Sequence, residues 1–392
     1  MKTIHVIVAT GEWEQDRLRY RRHRLAEYLQ GHDHTEEVIW LCPAPPKQET
    51  QSSVLTNGVK QWTVMDIHSH KLFRFGRYIS LFYKRKLGPL VDYLQKAEGK
   101  YQLILWYTFP GFPKVLEMVK WDQVVYDCSD LWAAPISGRQ TPLSKIRQEV
   151  IAKAETFIIQ EATTIFCTSD YLRERVVSQL GSGEKVVTFE NGVEFALFAS
   201  EISQKESVLP ADFSGTVLGY IGGIKPKLDF KLIFEAAKQK KDDLFMFVGP
   251  DQTNDNSGFK QLLSLPNVIW TGSVPPMDVP MYMNLIDIGI MPYKDSPYNK
   301  AVFPLKLFEF MAAGKPVVGL HLPSTTKFVE EGVYLQEEGI EGFLKAIEQL
   351  NQVKGEEKCL EVRKQRAKAK DWEDVFKGML LVLNKKRQIG QE

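Results

Sequence analysis

Short apolar runs, each closed by a glycine or proline turn and leading into a longer amphipathic stretch, recur along this chain, and the series starts over midway. The first run is 4–9, closed by Thr10-Gly11 and followed by an amphipathic stretch over 17–30. Strand, tight turn and helix in that order open a parallel α/β sheet, because parallel neighbours need a crossover and a helix supplies it. Residues 38–41, closed by the breakers Pro43 and Pro45-Pro46, read as the next strand, and 103–107, 123–126 and 164–167 as further ones. Helical patterns lie between them, notably over 143–162.

The chain turns at Asn191-Gly-Val, and the mostly polar stretch 199–214, with Pro210 and no sustained period, reads as a linker. A strand over 216–221 then runs into Gly222-Gly223, a helix over 228–240 follows, and 244–248 is ended by Gly249-Pro250. Strands at 268–271, 286–291 and 316–320 continue the series, and a basic helical stretch over 361–386 ends it. The expectation is an α/β protein of two Rossmann-like, doubly wound parallel-sheet domains, at 1–198 and 199–365, with a C-terminal helix at 366–392 crossing back to the first. Its 392 residues suffice for two cores. Ligands of such sheets bind outside the strand C-termini, so function is expected in a cleft where the two sets of loops face each other.

Composition narrows the partners. A net charge of +1 provides no global pull on nucleic acid, and no nucleic-acid partner is expected. Cys42, Cys128, Cys167 and Cys359 form no CxxC or metal-ligand spacing, and residues 1–8 enter a strand at once without a cleavage site. Both point to reduced thiols and a cytoplasmic location. No apolar run approaches the roughly 20 residues that cross a bilayer, so any membrane contact is expected at the surface. His68 and His70 have no third ligand nearby in sequence, and no metal is expected.

The most informative stretch is Phe303-Pro-Leu-Lys-Leu-Phe-Glu-Phe-Met-Ala-Ala-Gly-Lys-Pro-Val-Val. Pro304 is suited to the mouth of a helix, whose first N–H groups favour an anion. Lys306 adds a full positive charge, and Glu309, three residues on, shares its face. A carboxylate there can accept both hydroxyls of a ribose. Together these groups read as a nucleoside-diphosphate site; the alternative is an amphipathic helix carrying a Lys–Glu surface pair.

At these residues the chain resembles glycosyltransferase family four and its relatives, in the subgroup reading P-x-K-x-x-E-x-x-A-x-G-K-P-V-V. Pro304, Lys306, Glu309, Ala312, Gly314, Lys315, Pro316, Val317 and Val318 carry the match. Tyr220-Ile-Gly-Gly, Phe247-Val-Gly-Pro, Asn267-Val-Ile-Trp-Thr-Gly, Ile290-Met-Pro-Tyr and the interdomain turn Asn191-Gly-Val-Glu agree in order. More narrowly, the chain looks like bacterial teichuronic acid biosynthesis glycosyltransferases and shares features with glucuronosyltransferases of exopolysaccharide pathways.

The resemblance implies the GT-B fold and transfer of a sugar, glucuronic acid or another hexose, from a UDP-sugar to a lipid-linked cell-wall or surface polysaccharide acceptor. By it, Glu309 would hold the ribose and Lys306 the diphosphate, with Pro304 and Leu307 beside them. Gly222 and Gly223 would let the backbone approach the phosphates, and Lys225 or Lys227 would add charge. The Thr271-Gly-Ser-Val274 loop would meet the base, and Tyr293 would line the sugar-phosphate pocket. Gly11 and Trp13, in the first loop, would reach toward phosphates and acceptor. Neither cofactor nor metal is implied, since lysines and helix ends neutralise the leaving group. One departure is Ala301, where many members carry a second acid eight positions before the conserved one; its absence questions the retaining mechanism common there.

A base for the acceptor hydroxyl is then expected from the other domain. Asp127 and Asp130, at the end of the strand over 123–126, are the candidates, Asp130 the preferred one; capping a turn is the alternative role of each. Two stretches stand apart. Residues 16–24 are denser in arginine than a solvated helix face needs. Residues 68–85, HSHKLFRFGRYISLFYKR, mix cations with aromatics in a stretch free of acids, the composition of a helix lying on an anionic leaflet. Peripheral association with the inner face of the cell membrane is therefore expected. Two rivals are a non-hydrolysing UDP-sugar epimerase and a non-catalytic scaffold of a polysaccharide assembly complex.

Overall fold

The computed structural model describes residues 1–15, 20–45, 52–68, 76–134, 142–200, 208–210, 212–253 and 255–389. They form two compact units, one of residues 1–134, 142–190 and 376–389, the other running from 191 to 375.

The first unit is built on strands β1 (Thr3–Val8), β2 (Thr35–Ala44), β3 (Ser52–Val54), β4 (Lys60–Met65), β5 (Gln102–Tyr107), β6 (Gln123–Cys128), β7 (Thr164–Cys167) and β8 (Val186–Thr188). They lie in the order β3-β4-β2-β1-β5-β6-β7-β8. Every pairing is parallel except that of the edge strand β3 with β4. All residues of β1, β5 and β6 are buried, as in a sheet covered on both faces. The direction of winding reverses between β1 and β5, so their C-terminal loops flank the switch point where such sheets bind ligands.

The expected end of β2 before Pro43 is corrected. Ala9 N–H donates to Leu41 O, so alternate residues of β2 beyond Leu41 face a side where β1 has already ended. A proline at 43 therefore forfeits no ladder hydrogen bond, and pairing to β4 continues through Ala44. The expected helix over 17–30 spans Arg21–Gln30, with Trp13–Gln15 a separate 3₁₀ turn and 16–19 outside the described residues.

The second unit carries β9 (Val217–Ile221), β10 (Leu244–Val248), β11 (Val268–Trp270), β12 (Ile288–Pro292), β13 (Val317–Leu320) and β14 (Tyr334–Glu337) in one wholly parallel sheet. Its order, β11-β10-β9-β12-β13-β14, is the 3-2-1-4-5-6 winding of a Rossmann sheet, with the switch between β9 and β12. Val193 and Phe198 pack in this unit's core, which places the first crossing at 190/191, ahead of the polar stretch 199–214. Most of that stretch, 201–207 and 211, lies outside the described residues.

The tail is two helices rather than one, Glu357–Lys368 and Trp372–Ile389. Between them Lys370 O accepts from Val193 N–H, and Asp371 accepts from Phe195 N–H. From Phe376 onward the last helix packs in the first unit: Phe376 against Tyr28 at 5.5 Å, Gly378 against Phe189, and Leu383 O accepting from Gln123 Nε2.

His5 in β1 ties the core of the first unit to pH. Its Nδ1 accepts from Trp106 Nε1 at 3.1 Å, which requires the neutral ring, and burial, with a smaller contribution from His32, pulls its pKa down to about 3. The unfolded chain, with a histidine near 6.5, takes up that proton first, so stability is full above pH 6.5 and falls as the pH drops toward 3. The loss is up to about 1.4 kcal/mol per pH unit in that window. Thermal melts between pH 7 and 5 should show a steeper loss for the native protein than for His5→Gln; equal slopes would clear His5.

Candidate active site

From the switch point of the second unit outward, the loops after β9, β10 and β11 are stacked backbone on backbone. Gly222, just past β9, has φ +141°, and Gly249, just past β10, has φ +135°, both open only to glycine. A Cβ on Gly249 would lie 2.1 Å from Gly222 O, so no other residue fits that approach. Gly222 N–H donates to Val248 O, Gly249 N–H to Gly272 O, and Thr271 N–H to Phe247 O. Thr271 is thereby fixed beside the glycine loops, and Val274 packs partly buried on the unit's core. A Cβ on Gly223 would lie 2.7 Å from Gln252 Oε1 and 3.3 Å from Lys225 Cε.

Lys306 passes next to this loop: its Cε is 3.9 Å from where a Cβ on Gly222 would stand. It begins the helix Lys306–Ala312, and its Nζ donates to Glu309 Oε2 within the first turn. The two side chains are 23% and 13% exposed, hence partly desolvated yet open to exchange of partner. Pro304 lies ahead of the helix rather than in its first turn; Leu305 is the cap, and Pro304 O accepts from Leu307 N–H. Leu307 is wholly buried, so it can offer a ligand only its backbone.

Tyr293 follows β12 with its ring buried. Burial pushes its phenol up to about 12 against a hydrogen bond with Tyr220 and the Lys306 charge, so it remains a neutral hydroxyl at working pH. Lys227 Nζ sits 4.5 Å over the Tyr293 ring, and Leu228 bridges to Tyr293 through the backbone. Lys225 and Lys227 thus both accompany the glycine loop.

Three members of this cluster were given no role in the sequence reading. Tyr220, on β9, donates to Gly223 O at 3.2 Å, and Gln252 abuts Gly223. Asn299, wholly buried, donates to Lys227 O and Lys294 O and so ties the glycine loop to the segment after β12. Its only sequence signal was the Ser296-Pro297 start of helix Pro297–Ala301, where Ser296 Oγ accepts from Asn299 N–H. Ala301, at the end of that helix, is fully buried.

In the first unit, Gly11 O accepts from Trp40 Nε1, and Trp13 N–H donates to Gln61 Oε1. The Trp13 ring stands edge-on to Trp40 and His23, at 4.8 and 4.7 Å. Gly11 and Trp13 are thus held in a packed loop past β1.

Asp127, one of the two base candidates, is held by an arginine. Arg21 Nε donates to both of its oxygens, at 3.1 and 2.9 Å, in a buried ion pair, while the other guanidinium nitrogens reach Glu190 O and Met379 Sδ. Both Asp127 oxygens are thus already engaged. Asp130 lies two residues beyond β6 and is only partly buried. The same contacts explain part of the arginine-rich stretch: Arg21 is core, and Arg22 stacks on Tyr20 at 4.6 Å, while 16–19 lie outside the described residues.

The basic and aromatic stretch is not one helix in the part described, and 69–75, including His70, lie outside it. Residues Ser80–Tyr83 make one helical turn and Lys84–Leu87 a 3₁₀ turn. Arg77 is engaged by Asp66 at 2.5 Å, Lys86 by Met65 O, and Tyr83 is buried. Among the described residues of the stretch, His68, Leu81, Phe82, Lys84 and Arg85 reach solvent, with Leu81 83% exposed. Among the described residues, no three His, Cys, Asp or Glu side chains group as metal ligands, and no helix is long and apolar enough to cross a membrane.

Two Rossmann sheets, one bearing a lysine and a carboxylate beside stacked glycine loops, are the parts of the GT-B fold. Comparison with known proteins agrees. Residues 215–352 match the family model described as "Glycosyl transferases group 1". The chain is 54% identical over 381 residues, 96% of each chain, to TuaH of Bacillus subtilis (strain 168), whose name assigns it to teichuronic acid biosynthesis as a glycosyltransferase. Among solved structures, sucrose-phosphate synthase of Thermosynechococcus elongatus superposes with a TM-score of 0.72 at 15% identity, over 98% of this chain and 99% of that one. HepE of Anabaena, in complex with UDP and glucose, superposes with a TM-score of 0.67 at 14% identity, over 98% and 100%. The chain belongs to the group 1 glycosyl transferases and is an enzyme of the transferase class.

Proposed function

We propose that the second unit binds a UDP-sugar, the sugar being glucuronic acid or another hexose, and that the enzyme transfers it to a lipid-linked cell-wall glycan of the teichuronic acid kind. The observation that carries this is Lys306 running beside Gly222 with Glu309 one turn on. A diphosphate laid on the glycine loop competes for the Lys306 ammonium, and the ribose hydroxyls take over the Glu309 carboxylate. The pair thus exchanges one charge-assisted contact for two, at low cost because a partly exposed ion pair is itself worth only about 0–1 kcal/mol. The loop from Thr271 to Val274 meets the base, and Pro304 and Leu307, joined by a backbone hydrogen bond, hold the turn that carries Lys306 beside the phosphates. Gly223 and Tyr293 line the sugar-phosphate end, with Lys225 or Lys227 adding charge.

In the transfer itself, the acceptor hydroxyl oxygen bonds to the anomeric carbon as the bond from that carbon to the UDP oxygen breaks. Asp130 takes the hydroxyl proton, and UDP departs with the bonding pair, its charge met by Lys306 and its neighbouring lysine in place of a metal. Such a single displacement inverts the anomeric carbon. Gly11 and Trp13 belong to the acceptor side. The kinship with TuaH supports the teichuronic acid assignment, and the UDP complex of HepE supports the nucleotide. Exposed Leu81, Phe82, Lys84 and Arg85 support contact with the anionic inner face of the cell membrane, where such an acceptor is anchored.

A thermal-shift screen of UDP-sugars in the presence of EDTA tests the donor half, since a ligand at about 100 times its Kd stabilises by about 2.7 kcal/mol. One UDP-sugar should raise Tm by several degrees and be consumed only when acceptor is added. Consumption without acceptor would instead make the protein an epimerase, and no shift with any UDP-sugar would leave a scaffold.

A further inference from the structure

Arg363, in helix Glu357–Lys368, is fully buried, and its four hydrogen bonds all go to backbone carbonyls. Nε donates to Gly332 O at 2.7 Å, one terminal nitrogen to Gly314 O at 2.9 Å and Lys354 O at 2.8 Å, and the other to Val353 O at 3.1 Å. These carbonyls come from three separate segments: the turn after helix Lys306–Ala312, the turn before β14, and the end of helix Gly339–Val353. Two are helix C-termini, where unpaired carbonyls carry partial negative charge, so a cation among them is stabilised without a carboxylate.

The first of these segments leads to the donor residues. Gly314, at φ +73°, ends the helix in a Schellman turn: Gly314 N–H donates to Met311 O and Lys315 N–H to Phe310 O. Ala313 N–H closes on Glu309 O itself. The helix has only seven residues, so its C-terminal turn lies directly beneath Glu309 and about two turns from Lys306. Helix Glu357–Lys368 packs on the same turn, with Leu360 Cγ 3.2 Å from where a Cβ on Gly314 would stand.

We propose that Arg363 is a positioning residue for the donor site: by gripping the carbonyl of Gly314 it sets the tilt of helix Lys306–Ala312 and hence where Lys306 and Glu309 meet the nucleotide. The proposal rests on the reading of that helix as the UDP site. Lysine at 363 keeps the charge but, with a single nitrogen, cannot span three segments.

R363K is expected to raise the Kd for UDP about tenfold, measured well below the melting temperature of both proteins. The KM for acceptor should stay within about threefold, whereas kcat at saturating donor should fall as well, because Lys306 also meets the charge of the departing UDP. A variant whose Tm falls while UDP affinity stays native would make Arg363 purely architectural and overturn the proposal. Hydrogen exchange on the native enzyme keeps the test open should R363K fail to fold. UDP should slow exchange at 306–315 and also at 332–333 and 353–355, segments joined to the helix through Arg363. Protection confined to 306–315 and 222–223 would overturn the positioning role while upholding the UDP site; absence of UDP binding would remove both.

Discussion

Asp130→Asn enzyme is expected to bind UDP with native affinity and to transfer sugar about 10²–10⁴ times more slowly, the contribution of a general base. The amide keeps the size and most hydrogen bonds of the carboxylate but cannot take the acceptor's proton. Asp127 provides the control. Its carboxylate and the Arg21 guanidinium are both buried and bound to each other, so Asp127→Asn leaves a buried cation uncompensated. The expected cost is about 3–5 kcal/mol of stability, with turnover falling only in proportion to folded protein. Single-turnover rates and melting curves on the two variants separate the roles. A stable but inactive Asp127→Asn, or an active Asp130→Asn, would reverse the assignment.

Glu309→Ala is expected to weaken UDP binding by about 10²-fold, because hydrogen bonds to a charged acceptor contribute about 1.5–3 kcal/mol each and the ribose supplies two hydroxyls. Part of that is returned, since Lys306 no longer has Glu309 to leave. The sharper comparison uses 2′-deoxy-UDP. Native enzyme should discriminate against it, whereas Glu309→Ala should bind the two nucleotides alike. Calorimetric titration of both proteins with both ligands closes the cycle; undiminished discrimination in the variant would take the ribose away from Glu309.

Much of the fold was legible because parallel strands buried on both faces are written as continuous apolar runs. β7 and β10 begin and end where the sequence places them, and the glycine turn after β9 lies at the switch point. β4, which opens on the polar Lys60-Gln61, was missed, and β3, β8 and β14 were missed for a common reason. β3 and β8 have three residues each, β14 is half polar, and β3, β8 and β14 lie at sheet edges where one side needs no apolar cover. The donor motif was legible since its residues are near neighbours in sequence. What pairs across long separations was not: Arg21 reaches Asp127 over 106 positions and Arg363 reaches Gly314 over 49. No local pattern announces such a partner. For the same reason the stretch 68–85 reads as a single basic face, whereas Arg77 within it and Lys86 just after it are already committed to Asp66 and Met65.

The most direct measurement is a crystal structure of the protein soaked with UDP. The account predicts the pyrophosphate against Gly222 and Gly223 within hydrogen-bond reach of Lys306 Nζ, both ribose hydroxyls on Glu309, and the Lys306–Glu309 contact broken. UDP held elsewhere, or bound with Lys306 and Glu309 still paired to each other, would contradict it.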